Sequence, residues 1–158
     1  MCRVTASILA LALLAAACGG GSGGGESEGP NFRSASLVVG QPDFFSRQSD
    51  HGMSSVGPWG FGNVADVAVD DSFTLVADWS HSRILGYVGT IQANDPLADF
   101  VIGQDDLTSS DPGLDNDRLH DPRGVALDGG RVFVADTKNS RVLIWNQVPQ
   151  LGACLLYT

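Results

Sequence analysis

Two carboxylate–guanidinium pairs occur at the same spacing in different parts of the chain. Asp78 is followed five residues later by Arg83, and Asp136 is followed five residues later by Arg141. An ionised carboxylate accepts backbone N–H bonds at a turn and pairs with a guanidinium across it, although the same groups could instead contact a ligand. Because equivalent residues stand in both places, we predict that the two pairs form a structural turn motif.

The most acidic stretch is DPGLDNDRLHD at 111–121. Asp115, Asp117 and Asp121 are candidate ligands for Ca²⁺, because this ion prefers carboxylate oxygens. The stretch lacks the glycine and the terminal glutamate of an EF-hand loop, and an arginine and a histidine stand among the acids. We therefore expect a solvated loop here, with calcium binding as the alternative.

The three histidines, His51, His81 and His120, are scattered along the chain. No H-x-x-x-H or H-E-x-x-H spacing occurs, so a zinc hydrolase site is unsupported. A P-loop is absent as well, and no glycine-rich dinucleotide motif is followed by a helix. We expect surface histidines, and we predict no catalytic or cofactor-binding residue.

The Asp–Arg pairs lie within a stretch that occurs twice. Residues 66–87 are DVAVDDSFTLVADWSHSRILGY and residues 124–145 are GVALDGGRVFVADTKNSRVLIW, which align without a gap at an offset of 58. A second echo, VVGQPDF at 38–44 and VIGQDDL at 101–107, recurs at an offset of 63. Repeats of this length are typical of solenoids, propellers and arrays.

The apolar runs of both copies predict strands. Each run has three to five residues, is rich in β-branched and aromatic side chains, and is bounded by Gly, Asp, Ser or Asn. The runs are continuously apolar, which indicates strands covered on both faces. One run beside each GQ motif brings the number to four per repeat, as in a propeller blade. The predicted strands are 37–39, 67–69, 73–77 and 84–88 in the first repeat, and 100–102, 125–127, 132–135 and 142–145 in the second.

The second copy closely resembles an NHL repeat, the blade unit of a family of β-propellers that commonly have six blades. The resemblance lies in the GVALD opening at 124–128, the VFVAD core at 132–136 and the NSRV segment at 139–142. The first copy is looser: Asp66 replaces the opening glycine, and Trp79 and His81 replace a threonine and an asparagine.

The GQPDF and GQDDL elements are similar to those that precede each blade in exported bacterial NHL proteins. The resemblance implies an all-β chain with two four-stranded blades, at about 37–88 and 100–148, of a six-bladed ring. Two blades cannot close a ring, since propellers have about 4–8. We therefore expect the chain to be an N-terminal fragment of a longer protein, with assembly of several copies as the alternative.

The first residues, MCRVTASILALALLAAAC, predict an export signal. Arg3 supplies a positive charge, and the apolar run that follows is shorter than the roughly 20 residues of a membrane span. The end of the run resembles a bacterial lipoprotein signal, which implies a signal peptide at 1–17 and lipidation of Cys18. The alternative is ordinary cleavage near Ala17 that leaves Cys18 free.

The remaining domain boundaries follow from composition. Residues 18–31 form a Gly/Ser-rich linker, which is expected to be a flexible coil, and residues 32–150 form the partial propeller. The last residues, CLLYT, are also the translation of a common sequencing-library adapter. We therefore expect 151–158 to be a non-native tail. Without Cys154 the mature domain has no thiol for a disulfide or a metal site.

The net charge is −9, and 16 of the 18 acids are aspartate. Aspartate favours turns and loops whereas glutamate favours helices, so the composition indicates many loops and little helix. An acidic surface also disfavours binding to nucleic acid, which depends on Lys and Arg at the phosphates.

We expect a binding or scaffold propeller at the bacterial envelope. Loops on a rigid frame carry binding function, and the long loops at 45–63 and 108–122 are the candidates. The expected partners are an unidentified protein or carbohydrate ligand and, through acylated Cys18, the lipid bilayer of the outer membrane or periplasmic face.

The alternative is an enzyme. Some similar propellers are lactonases or lyases with a metal at the channel mouth, held by Glu, Asn, Asp or His. No glutamate follows Glu28 and the histidines are unpaired in sequence, so this alternative is less favoured. No cofactor is predicted, with Ca²⁺ at Asp115, Asp117 and Asp121 as the alternative.

Overall fold

The structure, a computed structural model, describes residues 34–149. Seven strands lie in two antiparallel sheets, and this part of the chain contains no α-helix. The prediction of an all-β chain with blade-type sheets is therefore confirmed. The predicted signal peptide, Cys18, the linker and the tail lie outside the described residues. Within residues 34–149 no helix has the length and apolar character needed to cross a membrane.

The first sheet has the strand order β1-β2-β3-β4. Its strands are β1 (Val64–Val69), β2 (Phe73–Asp78), β3 (Arg83–Val88) and β4 (Phe100–Ile102). β2 and β3 pair without interruption until Asp78 lies opposite Arg83. The short turn between the two strands therefore brings the first Asp–Arg pair together.

The second sheet repeats this pattern with the order β5-β6-β7. Its strands are β5 (Pro122–Asp128), β6 (Arg131–Asp136) and β7 (Arg141–Trp145). Asp136 lies opposite Arg141, as in the first pair. Ser82 and Ser140, at an offset of 58, end the equivalent 3₁₀ turns with φ of 50° and 52°. The sequence repeat thus corresponds to a repeat in backbone conformation.

Two details of the predicted blades are wrong. Residues 37–39 form no strand, because they pair with none of the described strands, and the Val38 carbonyl accepts the Asp95 N–H at 2.9 Å. The strand at 100–102 pairs with β3, so it completes the first sheet and does not open the second. Within residues 34–149 the second sheet therefore has three strands.

This pairing moves the boundary between the two repeats. The first sheet spans 64–102, and each sheet is preceded by a loop that starts at a GQ motif. We call residues 40–63 the first loop segment and residues 103–121 the second loop segment. The predicted boundaries of 37–88 and 100–148 split the first sheet before its last strand.

Two apolar layers cover the first sheet. One layer lies between the sheets, where Leu75, Ala77 and Ile84 meet Val132 and Val134. The other lies on the opposite face, and its buried members are Phe61, Val76, Leu85, Tyr87 and Ala98. Alternate residues of β2 and β3 thus enter different layers, which explains the continuously apolar runs.

The second sheet buries only one face within the described residues. Val142 and Ile144 lie on its open face and are 62% and 55% exposed. The prediction of strands covered on both faces is therefore correct for β2 and β3 of the first sheet. It is wrong for β1, where Val67 and Val69 are exposed, and for the described part of the second sheet.

Candidate functional site

Arg83 fastens the first loop segment to the first sheet. The side chain is fully buried, and its Nε donates a hydrogen bond to Asp78 Oδ2 over 3.0 Å. Nη1 donates to the Leu107 carbonyl over 2.8 Å, and Nη2 donates to the Gly57 and Gly60 carbonyls, each over 3.1 Å. A planar guanidinium presents its donors in a fixed fork, so it holds these carbonyls at defined positions.

Asp78 completes this attachment. Its Oδ1 accepts the backbone N–H groups of Gly62 and Asn63 at 3.1 and 3.2 Å. The buried carboxylate is thus satisfied by one cation and two backbone donors, as a buried charge requires. Both members of the ion pair therefore bind the end of the first loop segment: Arg83 binds carbonyls of the segment and Asp78 binds its N–H groups.

Arg141 fastens the second loop segment in the same way. Its Nε donates to Asp136 Oδ2 over 2.7 Å, and Nη1 donates to the Leu114 carbonyl over 2.6 Å. Nη2 donates to the carbonyls of Asp115 and Arg118 over 2.7 and 3.0 Å. These last two carbonyls stand 58 residues after the ones that Arg83 Nη2 binds. The structure thus brings both Asp–Arg pairs together and gives both the same Nε and Nη2 contacts, whereas the Nη1 groups bind carbonyls that are not equivalent, Leu107 and Leu114.

His81 and Asn139 occupy equivalent places beside these pairs. Asn139 Nδ2 donates to Asp136 Oδ2 over 2.8 Å, and His81 Nδ1 lies 2.8 Å from Asp78 Oδ2. The hydrogen bond with Asp78 raises the pKa of His81, and the negative charges of Asp78 and Asp50 act in the same direction. Burial and the charge of Arg83 oppose this increase.

Two further His–Asp contacts connect the first loop segment with residues outside it. His51 Nε2 lies 3.0 Å from Asp95 Oδ1, and His81 Nε2 lies 3.5 Å from Asp50 Oδ2. The side chains of His51 and His81 are only 11% and 14% exposed, so the prediction of surface histidines is wrong for both. The reason is that residues far apart in sequence bury them together.

Strained backbone accompanies these contacts. Asp50 and His51 are consecutive non-glycine residues with φ of 49° and 57°, a left-handed conformation that costs about 1–2 kcal/mol per residue. Asp50 N–H donates to the Phe61 carbonyl at 3.0 Å. At Gly60 a Cβ would lie 2.8 Å from the Asp50 Cα, so glycine permits this close approach. The segment is therefore held in one conformation by its surroundings.

An open cleft of about 320 Å³ lies along this segment. Arg47, Gln41, Ser49 and Asn63 supply guanidinium, amide and hydroxyl groups to it. Its other lining residues are Val39, Gly40, Phe61, Gly62 and Val64. The arrangement offers hydrogen-bond donors and acceptors beside a small apolar surface.

The glutamine of each GQ motif shapes its loop segment. Gln41 Nε2 donates to the Gln48 carbonyl, and Gln104 Nε2 donates to the Asp111 carbonyl, both over 2.9 Å. Each glutamine thus holds a carbonyl seven residues further along the chain. Gln104 Nε2 also donates to the Ser82 carbonyl over 3.0 Å, which attaches the second loop segment to the first sheet.

The three candidate calcium ligands do not converge. Asp121 pairs with Lys138 at 2.9 Å, Asp115 contributes its carbonyl to Arg141, and Asp117 is exposed. No group of three or more His, Cys, Asp or Glu side chains between residues 34 and 149 could hold a metal ion. His120 contributes its backbone N–H, which donates to Asp136 Oδ1 over 2.7 Å.

Sequence reasoning missed several residues that connect distant parts of the chain. Asp66 Oδ2 accepts the Val125 N–H at 3.0 Å and so joins the two sheets. Its substitution for the repeat's glycine was the one available signal. Asp50 and Asp95, the partners of His81 and His51, carried no signal, because nothing in their local sequence distinguishes them from loop aspartates.

Comparison with protein families agrees with this geometry. Residues 119–145 match the family model of the NHL repeat, and this range includes β5, β6 and β7. The prediction of an NHL repeat in the second copy is therefore confirmed. Such a repeat indicates a β-propeller module of the binding or scaffold type. No curated protein matches this chain.

Proposed function

We propose that the chain is an exported binding module whose cleft beside the first loop segment holds a carbohydrate. The observation that carries this proposal is a polar cleft on a loop fastened to the sheet by buried ion-pair contacts. The volume of about 320 Å³ is at the lower end of the roughly 300–1,000 Å³ of small-molecule sites.

The chemistry of the lining favours a ligand with many hydroxyl groups. Gln41, Ser49 and Asn63 offer both donors and acceptors, and Arg47 adds a donor-only cation. Val39 and Phe61 supply apolar surface for the C–H face of a sugar. The guanidinium suits an acidic sugar in particular, because it pairs with carboxylates in a bidentate geometry.

The fixed loop conformation also favours binding. Arg83 holds two carbonyls of the segment, Asp78 holds two of its N–H groups, and Gln41 holds the Gln48 carbonyl. A loop that is already ordered loses little conformational entropy when a ligand binds, so more of the contact energy contributes to affinity.

The carbohydrate proposal is tested with the purified full chain on an array of neutral and acidic bacterial polysaccharides. We expect binding that the double variant Arg47→Ala/Asn63→Ala weakens at least tenfold. The matched control is Arg131→Ala/Asn116→Ala, which removes the same two residue types at exposed positions outside the cleft. Equal binding by both double variants, or no binding of the wild type to any polysaccharide on the array, would contradict the proposal.

We further propose that lipidated Cys18 anchors the module to a bacterial membrane. Support comes from the predicted signal and the Gly/Ser linker, which would let the domain stand off from the bilayer. Cell fractionation of the wild type and of Cys18→Ala tests this: the variant should leave the membrane fraction. Equal membrane association of the two forms would refute the anchor without affecting the carbohydrate proposal.

A further inference from the structure

We propose that the open face of the second sheet binds the first sheet of another copy of this chain, in a head-to-tail arrangement. The occupant follows from the repeat, because the same contact already exists within one chain between the first sheet and the second. The proposal does not depend on carbohydrate binding.

The open face is the counterpart of a buried one. Leu75, Ala77 and Ile84 of the first sheet lie in the apolar layer between the sheets. Their equivalents at an offset of 58 in the second sheet are Phe133, Ala135 and Val142. These three residues line a shallow apolar depression on the open face together with Asp66, Gly124, Val125 and Ala126. The second sheet thus repeats the surface with which the first sheet contacts its neighbour.

The receiving surface on the first sheet is also partly open. In the second sheet, Val125 is buried against the first sheet. Its counterpart Val67 and the neighbouring Val69 lie on β1 and are 56% and 66% exposed. The chain therefore presents both surfaces of a sheet-to-sheet contact. One is the open face of the second sheet, and the other is the face of the first sheet that carries Val67 and Val69.

Residues 37–39 supply a third observation. They stand 63 residues before β4, the strand that completes the first sheet beside β3. Val39 packs against the apolar layer on the outer face of the first sheet, as its counterpart Ile102 packs in the layer between the sheets. A docked copy would therefore bring its residues 37–39 to the free edge of β7, where the second sheet lacks a fourth strand within residues 34–149.

The contact between copies would be weaker than the one within a chain. In the existing contact, the Val125 N–H donates to Asp66 Oδ2. The counterpart of Asp66 in the second sheet is Gly124, which has no side chain to accept such a bond from a docked copy. Because different surfaces meet, the interface is heterologous, so copies either close into a ring or extend as an open chain.

Complementary blocked variants test this arrangement. Val142→Asp/Ile144→Asp charges the open face of the second sheet, and Val67→Asp/Val69→Asp charges the receiving face of the first. All four side chains are exposed, so both variants should fold. In analytical ultracentrifugation we expect the wild type to associate beyond a dimer with rising concentration and each variant alone to be monomeric.

Mixing the two variants is the decisive step. Each retains the face that the other lacks, so an equimolar mixture should form a one-to-one dimer and nothing larger. The control Leu97→Asp/Leu114→Asp charges exposed apolar residues that lie in loops, outside the strands of both faces, and should associate like the wild type. A monomeric wild type, or a mixture of blocked variants that stays monomeric, would overturn the proposal.

A cross-link gives a second readout that does not depend on charged substitutions. Ile84 lies opposite Ile102 in the first sheet, so Val142 of one copy should lie opposite Val39 of the next. In a background with the native cysteines replaced by serine, mixed Val39→Cys and Val142→Cys chains should form a disulfide-linked heterodimer. Cross-linking no greater than for Val39→Cys mixed with Leu114→Cys would contradict the arrangement.

Discussion

The two Asp–Arg pairs share their ion pair and their Nη2 contacts but lie in different surroundings. Arg83 is fully buried under the first loop segment, whereas the Arg141 side chain is 26% exposed. Asp78 and Asp136 are both completely buried. The difference therefore comes from what covers the arginine and not from the motif itself.

This contrast shows how a repeated motif acquires unequal importance. Water can replace the hydrogen bonds of a partly exposed guanidinium, but it cannot reach those of a buried one. The first pair also carries His81, which is ionisable, where the second carries neutral Asn139. We expect the first pair to dominate stability and to make it depend on pH.

The largest effect is expected for Arg83→Ala. It leaves Asp78 without its cation and removes the donors to three carbonyls, so the free energy of unfolding should fall by about 3–5 kcal/mol. Arg141→Ala should lower it by only about 1–3 kcal/mol, because water partly replaces the side chain. Urea denaturation measures both, with Arg131→Ala, which removes an exposed ion pair with Asp128, as the control. Equal losses at the two sites would show that burial does not distinguish them.

The next effect concerns position 86 and its counterpart 144. A Cβ at Gly86 would lie 2.1 Å from the Phe100 ring, which also packs edge-on against Phe73. Gly86→Ala should therefore destabilise the protein by about 1–3 kcal/mol through overpacking. Ile144→Ala, on the open face, should change monomer stability little. Thermal unfolding at dilute concentration measures the stability of both variants. If Gly86→Ala were as stable as Ile144→Ala, tight packing around position 86 would be contradicted.

His81→Asn tests the pH dependence of the first pair. The raised pKa of folded His81 means that its contribution is complete below about pH 6.5 and is lost as the pH rises through the folded value. Asp78, Asp50 and Arg83 are the charged groups that face it. The variant introduces the residue found at position 139 and should flatten this dependence in urea titrations from about pH 5 to 9. A parallel loss of stability in both proteins would assign the dependence to another group.

The smallest effect is expected at the two left-handed serines. Ser140→Gly should stabilise the protein by under about 1 kcal/mol, because glycine adopts positive φ without a steric cost. Ser82→Gly should gain nothing, since buried Ser82 Oγ also lies 3.5 Å from the Asp121 N–H. Differential scanning calorimetry resolves the two. A larger gain at Ser82 would indicate that this contact contributes no stability.

Much of the fold could be predicted from sequence. The repeat at 66–87 and 124–145 located six of the seven strands and both Asp–Arg turns, because these depend on residues close together in the chain. The partner of the strand at 100–102 could not be predicted. Its residues favour a strand whether that strand pairs with the first sheet or with the second. Only the position of the β3 edge in the folded chain decides that it pairs with β3.

The candidate site was less predictable. His51 and Asp95, and His81 and Asp50, are separated by 44 and 31 residues, and no spacing rule links them. The long loop at 45–63 was expected to carry function, but its cleft depends on Val39 and Gln41 from outside that range.

The sequence by itself determined the repeating unit: strands, turns, and an aspartate that pairs with an arginine across a turn. These features arise from steric and hydrogen-bond preferences within about six residues. Only the tertiary structure decided which arginine is buried, which histidines meet carboxylates and which sheet face stays open. Those properties depend on what packs against each repeat, and two similar repeats have different neighbours.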